Sequence, residues 1–335
     1  MTDRPLPNRR ALLAGASAIA AASLATPAGA QGDAAAHDFS GRSVLITGTS
    51  SGFGRLTALT LARLGATVIA SMRNLDGGAR PEARDLLTIA SNEKLDLHVV
   101  ELDVTSDASV ATGVAEAERI AGGALDVVVN NAGIGVAGPM ELADQEVTSL
   151  MFETNVFGYR RVANAALPKM RGNGGGQIFN VSSQLGRFVI PSLGLYCSTK
   201  FALEAMFETM AYELAPHGVE ITIIQPGGYP TKIWENGRRY TDQWLARVGA
   251  EEQAAYETHI QMATAQMTGQ YSTNMIDVPN AIAEIMAMPA GTRPLRRPVH
   301  PNPQAAAGAN AAMAQVQAAV LSRGPYASWH AAVTD

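Results

Sequence analysis

The sequence predicts a single α/β domain with a doubly wound parallel sheet. Short apolar runs of the kind that parallel sheets bury recur at residues 44–47, 67–71, 125–129 and 221–224. A glycine-rich turn and a helical pattern ending at Gly65 separate the first two runs, which is the arrangement of a β-α-β unit. With 335 residues, 47% of them hydrophobic and 16% charged, the chain is long and apolar enough to bury a large core.

Charge, cysteine and histidine content exclude several classes of partner. The net charge of −5 offers no basic footprint, so we expect no nucleic acid to bind. A single cysteine, Cys197, rules out an internal disulfide. The six histidines never show the spacing of metal ligands, so no metal site is predicted.

The first thirty residues are typical of a targeting segment and not of a folded domain. Arg9 and Arg10 precede a run of small apolar residues that ends in an A-x-A cleavage pattern. We therefore predict a twin-arginine signal peptide over residues 1–30, a short arm over 31–40 and a periplasmic location. The run is too short and too rich in alanine for a stable membrane span. An uncleaved or disordered arm, with the protein in the cytoplasm, is the alternative.

The turn after the first strand is predicted to cradle a phosphate group. Its glycines let the backbone approach a pyrophosphate, and the first N–H groups of the following helix point at the anion. The same residues also fit G-x-S-x-G, the nucleophile elbow of α/β-hydrolases. That interpretation is rejected because too few residues precede the turn to supply an oxyanion hole, and no clear Asp…His pair follows it. The predicted contacts from this turn are Gly48, Ser50, Ser51, Gly52, Phe53 and Gly54.

Residues 177–200 carry the pattern of a catalytic site. A buried-strand pattern ends at Ser182 and Ser183, and a loop leads to a helix that is predicted to begin near Tyr196. Tyr196 and Lys200 are four residues apart and therefore share one helix face. Because an ammonium group favours the phenolate, Lys200 is expected to lower the pKa of Tyr196 from its usual value of about 10. Ser183, at the strand end, would hold a substrate oxygen next to the phenol.

Seven short motifs follow one another in order along residues 41–231. They read TGTSSGFG (47–54), LDV (102–104), NNAG (130–133), NVFG (155–158), VSS (181–183), YCSTK (196–200) and QPG (225–227). With these motifs in this order, the chain resembles the short-chain dehydrogenase/reductase family, in the branch with a TGxxxGxG cofactor turn and a YxxxK active site. The resemblance implies a Rossmann-like fold and hydride transfer between a nicotinamide cofactor and a carbonyl or secondary alcohol.

The resemblance also implies catalytic roles. Tyr196 is expected to be the general acid/base, Ser183 to bind the substrate oxygen, and Lys200 to lower the pKa of the phenol and to grip the ribose. Asn155 matches the family position that holds a water between the lysine and solvent. A polar residue satisfied within the core is the other interpretation of Asn155. A non-catalytic NADP(H)-binding sensor or interaction protein on the same fold is the alternative function.

NADP(H) is the expected cofactor, with NAD(H) as the second candidate. No acid stands at Met72, where NAD-preferring relatives hold the ribose 2′-OH, and Arg73 suits a 2′-phosphate. Asn130 is equally well explained as a structural residue, and the QPG turn departs from the family pattern at Tyr229 and Pro230. The other cofactor contacts that the resemblance implies are Asp103, Val104, Asn130, Ala132, Gly133, Tyr196, Lys200, Pro226, Gly227 and Thr231.

The rest of the chain is predicted to complete one domain over residues 41–300. Residues 228–277 are expected to form a substrate lid, with one amphipathic helix over 250–267. The last strand, 295–300, carries a proline and two arginines that suit a sheet edge. The alanine-rich extension over 301–335 is predicted to be helical, and to pack on the sheet or on a neighbouring subunit. We expect a homodimer or homotetramer that acts on a small carbonyl or alcohol.

Overall fold

The structure is a computed structural model that describes residues 37–267 and 271–333. The predicted signal peptide and residues 31–36 of the predicted arm lie outside this part of the chain. No helix within the described ranges is long and apolar enough to cross a membrane.

The sheet has seven strands, and every neighbouring pair in it is parallel. The strand order is β3-β2-β1-β4-β5-β6-β7. The order reverses direction between β1 and β4, which is the arrangement of a doubly wound sheet. The predicted fold class is therefore confirmed, and the last strand lies at the sheet edge as expected. The strands are β1 (Ser43–Thr47), β2 (Thr67–Met72), β3 (Leu97–Glu101), β4 (Val127–Asn130), β5 (Gly176–Val181), β6 (Val219–Pro226) and β7 (Arg296–Val299).

Helices cover both faces of the sheet, because the central strands bury side chains on both sides. On β1, Val44 and Ile46 pack into one layer and Leu45 into the other. The helices are α1 (Gly52–Arg63), α2 (Pro81–Glu93), α3 (Asp107–Ala121), α4 (Gln145–Phe152), α5 (Gly158–Gly172), α6 (Gly194–Leu214), α7 (Ile233–Leu245), α8 (Ala250–Ala255), α9 (Glu257–Gln266), α10 (Asp277–Ala287), α11 (Gln304–Leu321) and α12 (Ala327–Ala331). The layer beside Val44 contains α1, α2 and α10, and the layer beside Leu45 contains α3, α5 and α6.

A π-helical turn (Glu153–Phe157) joins α4 to α5. Such a turn inserts one extra residue per turn and changes the direction in which the side chains point. Here the turn holds Asn155 fully buried. Gly158 follows it, and a Cβ atom at that position would lie 2.9 Å from the side chain of Val104. The close approach fixes the helix against the loop that follows β3.

The prediction of one continuous helix over 250–267 is wrong. The segment forms two helices, α8 and α9, because the backbone of Tyr256 leaves the helical conformation at φ −113° and ψ 16°. The Tyr256 phenol donates to the carboxylate of Glu141, which belongs to a different part of the chain. This long-range contact accompanies the break between α8 and α9.

The C-terminal helix α11 packs against α6 and the end of β6. Asn310 donates to the side-chain oxygen of Gln225 over 2.7 Å, and Gln317 donates to Glu208 over 3.0 Å. Arg296 on β7 donates to Glu204 over 2.9 Å and also pairs with Glu208, so that the region holds a buried ion-pair network. The extension is therefore helical as predicted, and it packs on the sheet of its own chain.

Candidate active site

A cavity of about 640 Å³ opens at the carboxyl ends of β1, β2, β4, β5 and β6, and α7 forms part of its wall. We call this cavity the cleft. It lies beside the point between β1 and β4 where the strand order reverses. Open α/β sheets bind their ligands at this place, because the loops on either side of the reversal turn apart there.

The glycine turn after β1 is packed closely against the loop after β4. Gly48 has a φ of +72°, and a Cβ atom there would lie 2.7 Å from the Cα atom of Ala132. Asn131 fixes the two loops together, because its amide donates to the carbonyl oxygens of Thr47 (2.8 Å) and Gly48 (3.1 Å). A side chain at position 48 would therefore be strained and would push the loops apart.

The first turn of α1 suits a phosphate group. The side chain of Ser51, at the N-cap, does not cap the helix, and no acidic residue occurs in the first turn. The N–H groups at this end therefore remain available to an anion, which the helix dipole also favours. This arrangement fits the pyrophosphate of a dinucleotide.

Five of the six residues predicted from this turn line the cleft, and the sixth does not. The five are Gly48, Ser50, Ser51, Gly52 and Phe53. Gly54 lies behind them, where a Cβ atom would collide with the Gly48 carbonyl and the Asn131 amide. Gly54 is therefore needed for the packing of the turn and is not part of the cleft wall.

Asn130 also lies outside the cleft wall, although it was expected as a cofactor contact. Its side chain is fully buried and donates to the Asn180 side chain over 3.0 Å and to the Tyr159 carbonyl over 3.3 Å. The structural interpretation of Asn130 is the one that its contacts support. Its neighbours Ala132 and Gly133 do line the cleft, as predicted.

One end of the cleft is lined by the residues expected around an adenosine. Arg73, Asp103 and Val104 all lie there. Arg73 donates to the phenol oxygen of Tyr240 over 3.0 Å, so that the end of β2 contacts the lid helix α7 across this part of the cleft. Arg80 also lines this end, and its guanidinium donates to the Arg73 carbonyl.

Sequence reasoning missed Arg80, Tyr240 and Arg239 at this end of the cleft. Arg80 immediately precedes the proline that begins α2. The one signal in the sequence for its place in the cleft was a second positive charge seven residues after Arg73. Tyr240 and Arg239 lie on α7, where Arg239 stacks 5.1 Å from the Tyr240 ring centroid. Nothing in the sequence distinguishes these two residues from any other polar residue on a helix.

The structure brings Ser183, Tyr196 and Lys200 together in the cleft. The Ser183 hydroxyl donates to the Pro226 carbonyl over 3.5 Å, and it is close enough to the Tyr196 phenol to lower the pKa of that phenol. The backbone N–H of Leu185 donates to the Ser183 oxygen over 3.1 Å and fixes this hydroxyl. Lys200 Nζ lies 5.7 Å from the Tyr196 ring centroid and donates to the Val181 carbonyl over 2.9 Å. The predicted shared helix face is therefore observed, since α6 begins at Gly194 and both side chains project into the cleft.

The charge states of this group differ from the expectation. Burial lowers the pKa of Lys200 to about 7, against the opposing effect of the nearby Glu204 carboxylate. Burial raises the pKa of Tyr196 to about 12, against the opposing effect of the Ser183 hydrogen bond. The net pKa of Tyr196 is therefore raised, and Lys200, which was expected to lower it, is not among the groups that do so. Lys200 carries only part of a charge at neutral pH, and that charge is directed at the Val181 carbonyl.

Asn155 does not line the cleft. Its amide oxygen accepts from the Ile134 N–H over 2.9 Å, and its amide nitrogen donates to the Ile134 carbonyl over 2.9 Å and to the Thr199 hydroxyl over 3.1 Å. These bonds tie the loop after β4 to α6 next to Lys200. The predicted water-mediated relay through Asn155 stays a prediction, and its observed contacts are those of a residue that positions the wall of the site.

The turn after β6 closes the cleft despite its departure from the family pattern. Pro226, Gly227 and Thr231 all line the cleft. Tyr229 is buried and its phenol donates to Asp277 over 3.1 Å, while its ring packs 5.3 Å from the ring of Phe53. The aromatic residue therefore anchors the turn to α10 and to the glycine turn without displacing Thr231.

The family profile described as short chain dehydrogenase matches residues 42–241. The chain belongs to the short-chain dehydrogenase family. An uncharacterized oxidoreductase of Bacillus subtilis, YusZ, is 40% identical over 190 residues, which are 57% of this chain and 66% of the relative. The match thus spans just under two thirds of that relative's length.

Solved structures of other short-chain dehydrogenases also resemble this fold, one of them over a larger share of the chain. A member from Burkholderia phymatum in complex with NAD superposes with a TM-score of 0.66 at 26% identity, covering 86% of this chain and 97% of that one. A gluconate 5-dehydrogenase from Burkholderia cenocepacia in complex with NADP and tartrate gives a TM-score of 0.54 at 28% identity, covering 58% and 74%. A nicotinamide cofactor is thus bound by similar proteins, in either the NAD or the NADP form.

Proposed function

We propose that this chain is an NADP(H)-dependent oxidoreductase that interconverts a carbonyl group and a secondary alcohol. The proposal rests on one observation. Ser183, Tyr196 and Lys200 line the same cleft as the glycine turn after β1. Hydride transfer to a carbonyl requires a cradle for the dinucleotide, a donor that holds the carbonyl oxygen and a group that supplies a proton. The cleft contains all three.

Each of these side chains has a role that its contacts support. The nicotinamide cofactor, when bound, supplies or accepts the hydride. Ser183 would hold the carbonyl oxygen, because it lines the cleft with Tyr196 and is close enough to lower the pKa of the phenol. Tyr196 is protonated at neutral pH and would donate its proton to that oxygen as negative charge develops there. Lys200, 5.7 Å from the phenol ring, would stabilise the phenolate that remains.

Three arginines at the adenosine end of the cleft support a preference for NADP(H). Arg73, Arg80 and Arg239 line this end. Met72 ends β2 in place of the carboxylate that would accept from a ribose 2′-OH. Guanidinium groups form strong charge-assisted hydrogen bonds with phosphate oxygens, so this end of the cleft suits a 2′-phosphate better than a hydroxyl.

Replacing Arg73 with alanine is expected to weaken NADPH binding much more than NADH binding. The loss of one charge-assisted hydrogen bond, about 2 kcal/mol, corresponds to a rise in the NADPH Kd of about 30-fold. The NADH Kd should change by less than about threefold, since NADH lacks the 2′-phosphate. Arg84→Ala, on the exposed face of α2 and outside the cleft wall, is the control. Equal losses for the two nucleotides would reject the assignment of Arg73.

Consumption of NADPH in the presence of a panel of aldehydes and ketones tests the proposed activity. The expected result is turnover of at least one carbonyl compound, with the alcohol identified as the product. A sensor or interaction protein on the same fold would bind NADPH in a titration but consume none. That second result, obtained across the panel and with NADH as well, would overturn the proposal.

We also propose export by the twin-arginine route and assembly into a homodimer or homotetramer. The support for export is the arginine pair at Arg9 and Arg10 with the cleavage pattern at 28–30, which lie outside the described part of the chain. Cell fractionation tests the first proposal, and full-length protein in the cytosol would contradict it. Light scattering tests the second, and a monomer would contradict it.

A further inference from the structure

Apart from Lys200 in the catalytic group, the charged residues of the cleft wall are gathered at the adenosine end. Arg73 is bonded to Tyr240, and Arg239 stacks on the same ring. Lys232 immediately precedes α7, and Glu235 and Arg239 follow it within the helix at steps of three and four residues, so the three lie on one side of this helix. The pKa of the Glu82 carboxyl, on α2, is held below its usual range, mainly by hydrogen bonds from the Glu82 backbone and from Arg80. The charge of the nearby Lys232 makes a smaller contribution in the same direction. This face of α7 would therefore contact the nucleotide.

The opposite part of the wall, beyond Ser183 and Tyr196, is uncharged and mostly apolar. The loop after β5 contributes Leu185, Phe188 and Ile190 to it, together with one uncharged polar side chain, Gln184. The one charged side chain of that loop, Arg187, does not line the cleft. It is buried, with its guanidinium 4.0 Å from the Glu204 carboxylate. We call this part of the wall the apolar arm of the cleft.

The lid completes the apolar arm with carbon surfaces. Trp234 and Tyr271 pack with their ring centroids 5.2 Å apart. The Trp234 indole N–H donates to the Tyr229 carbonyl over 2.7 Å, so its polar atom is satisfied by the backbone and its ring offers only carbon to the cleft. Met267, which packs beside Ile190 in the same hydrophobic cluster, also lines the cleft. Among the described residues of this arm, no side chain carries a charge that would pair with a charged substrate.

We infer that the substrate is an uncharged molecule with an extended apolar part directly attached to its reacting carbonyl or secondary alcohol. This inference rests on the proposed activity of the cleft and names the substrate class that it would take. Each methylene group that enters the apolar arm should raise kcat/KM about fourfold, because it leaves water for a carbon-lined wall. A carboxylate at the far end of the same chain should lower kcat/KM by at least about 100-fold, since it would be desolvated without a partner.

The test compares straight-chain methyl ketones from 2-butanone to 2-nonanone with 8-oxononanoate, which carries the same carbonyl and a terminal carboxylate. We expect kcat/KM to rise with each added methylene and to fall at least about 100-fold from 2-nonanone to 8-oxononanoate. Equal values for 2-butanone and 2-nonanone, or a preference for the carboxylate, would overturn the inference.

A charge placed in the apolar arm provides the matched variant. Ile190→Lys should lower kcat/KM for 2-nonanone at least tenfold and raise it for 8-oxononanoate, because the new ammonium would pair with the carboxylate. Val189→Lys is the control, since Val189 is 68% exposed and does not line the cleft. If the preference between 2-nonanone and 8-oxononanoate reversed in both variants, or in neither, the result would show that the apolar arm does not contact the substrate chain.

Binding separates a failure of this inference from a failure of the proposed activity. The two nine-carbon ketones are titrated calorimetrically into the protein with NADP⁺, which has no hydride to give. Tighter binding of 2-nonanone without turnover by NADPH or NADH would reject the proposed activity and support the substrate class. Turnover with 8-oxononanoate as the better ligand would support the activity and reject the substrate class.

Discussion

Replacing Tyr196 with phenylalanine is expected to lower kcat for carbonyl reduction by about 10³- to 10⁴-fold, the upper range for the loss of a positioned proton donor. The change removes only the phenol hydroxyl, whose pKa the nearby Ser183 hydroxyl lowers. The ring itself remains, beside Gly135 and the lid residue Ile233, so the shape of the cleft is kept. NADPH affinity should therefore stay within about twofold of the wild-type value. Initial rates of NADPH oxidation and a fluorescence titration with NADPH measure the two quantities.

Tyr212→Phe is the matched control for that experiment. Tyr212 lies on the same helix, α6, and its phenol donates to Glu208 over 3.0 Å outside the cleft. Its replacement removes one phenol hydroxyl from α6 without touching the site, and the rate should remain near the wild-type value. A Tyr196→Phe variant that retained more than about one tenth of the wild-type rate would remove Tyr196 from the proposed acid/base role.

Replacing Lys200 with methionine is expected to abolish turnover and to make the protein more stable at pH 6. Burial holds the pKa of Lys200 at about 7 against an ordinary value of 10.5. At about 1.36 kcal/mol per pKa unit, keeping this buried amine charged costs about 5 kcal/mol of folding free energy. Methionine fills a similar volume without the charge. The Val181 carbonyl keeps a donor, because the Tyr159 phenol also bonds to it over 3.0 Å.

The sign of the pH dependence follows from the lowered pKa. Between pH 7 and 10.5 the unfolded chain still binds the proton that folded Lys200 has released, so wild-type stability rises with pH across this window. The variant lacks the group and lacks this rise. With about 1 to 2 kcal/mol deducted for the lost hydrogen bond, we expect Lys200→Met to be about 3 kcal/mol more stable at pH 6 and about equal to wild type at pH 10.

Urea unfolding at pH 6 and pH 10 measures this difference. Lys94→Met, at the exposed end of α2, is the control and should leave stability within about 0.5 kcal/mol at both values. A Lys200→Met variant that is less stable than wild type at pH 6, or whose advantage is the same at both pH values, would show that the buried amine does not destabilise the fold.

The sheet and the central site could be predicted because their signals are local. The strands are nearly continuous apolar runs, and parallel strands bring their carboxyl ends to one edge of the sheet. Ser183 follows the end of β5 by two residues, and the spacing of Tyr196 and Lys200 alone puts them on one helix face. These three side chains therefore come together whenever the chain adopts this fold.

Other features depend on contacts that no local pattern records. Asn130 and Asn131 are adjacent, and only the folded chain shows that the first is buried at the end of β4 and bonds to Asn180, while the second bonds to the glycine turn. Arg73 meets Tyr240 across 167 residues of sequence. The break at Tyr256 accompanies a bond to Glu141, which is 115 residues away. The pKa of Tyr196 likewise depends on burial, which the spacing of residues does not report.

The position of α11 has a practical consequence for shortened versions of this protein. The family match ends at residue 241, and a truncation there would remove both Arg296 and Asn310. Glu204 would then lose its close guanidinium partner, one helical turn from Lys200. Engineering that seeks a compact catalyst should vary the lid and leave β7 and α11 intact. Arg296 on β7 bonds to Glu204, and Asn310 on α11 bonds to Gln225, which also donates to Glu204.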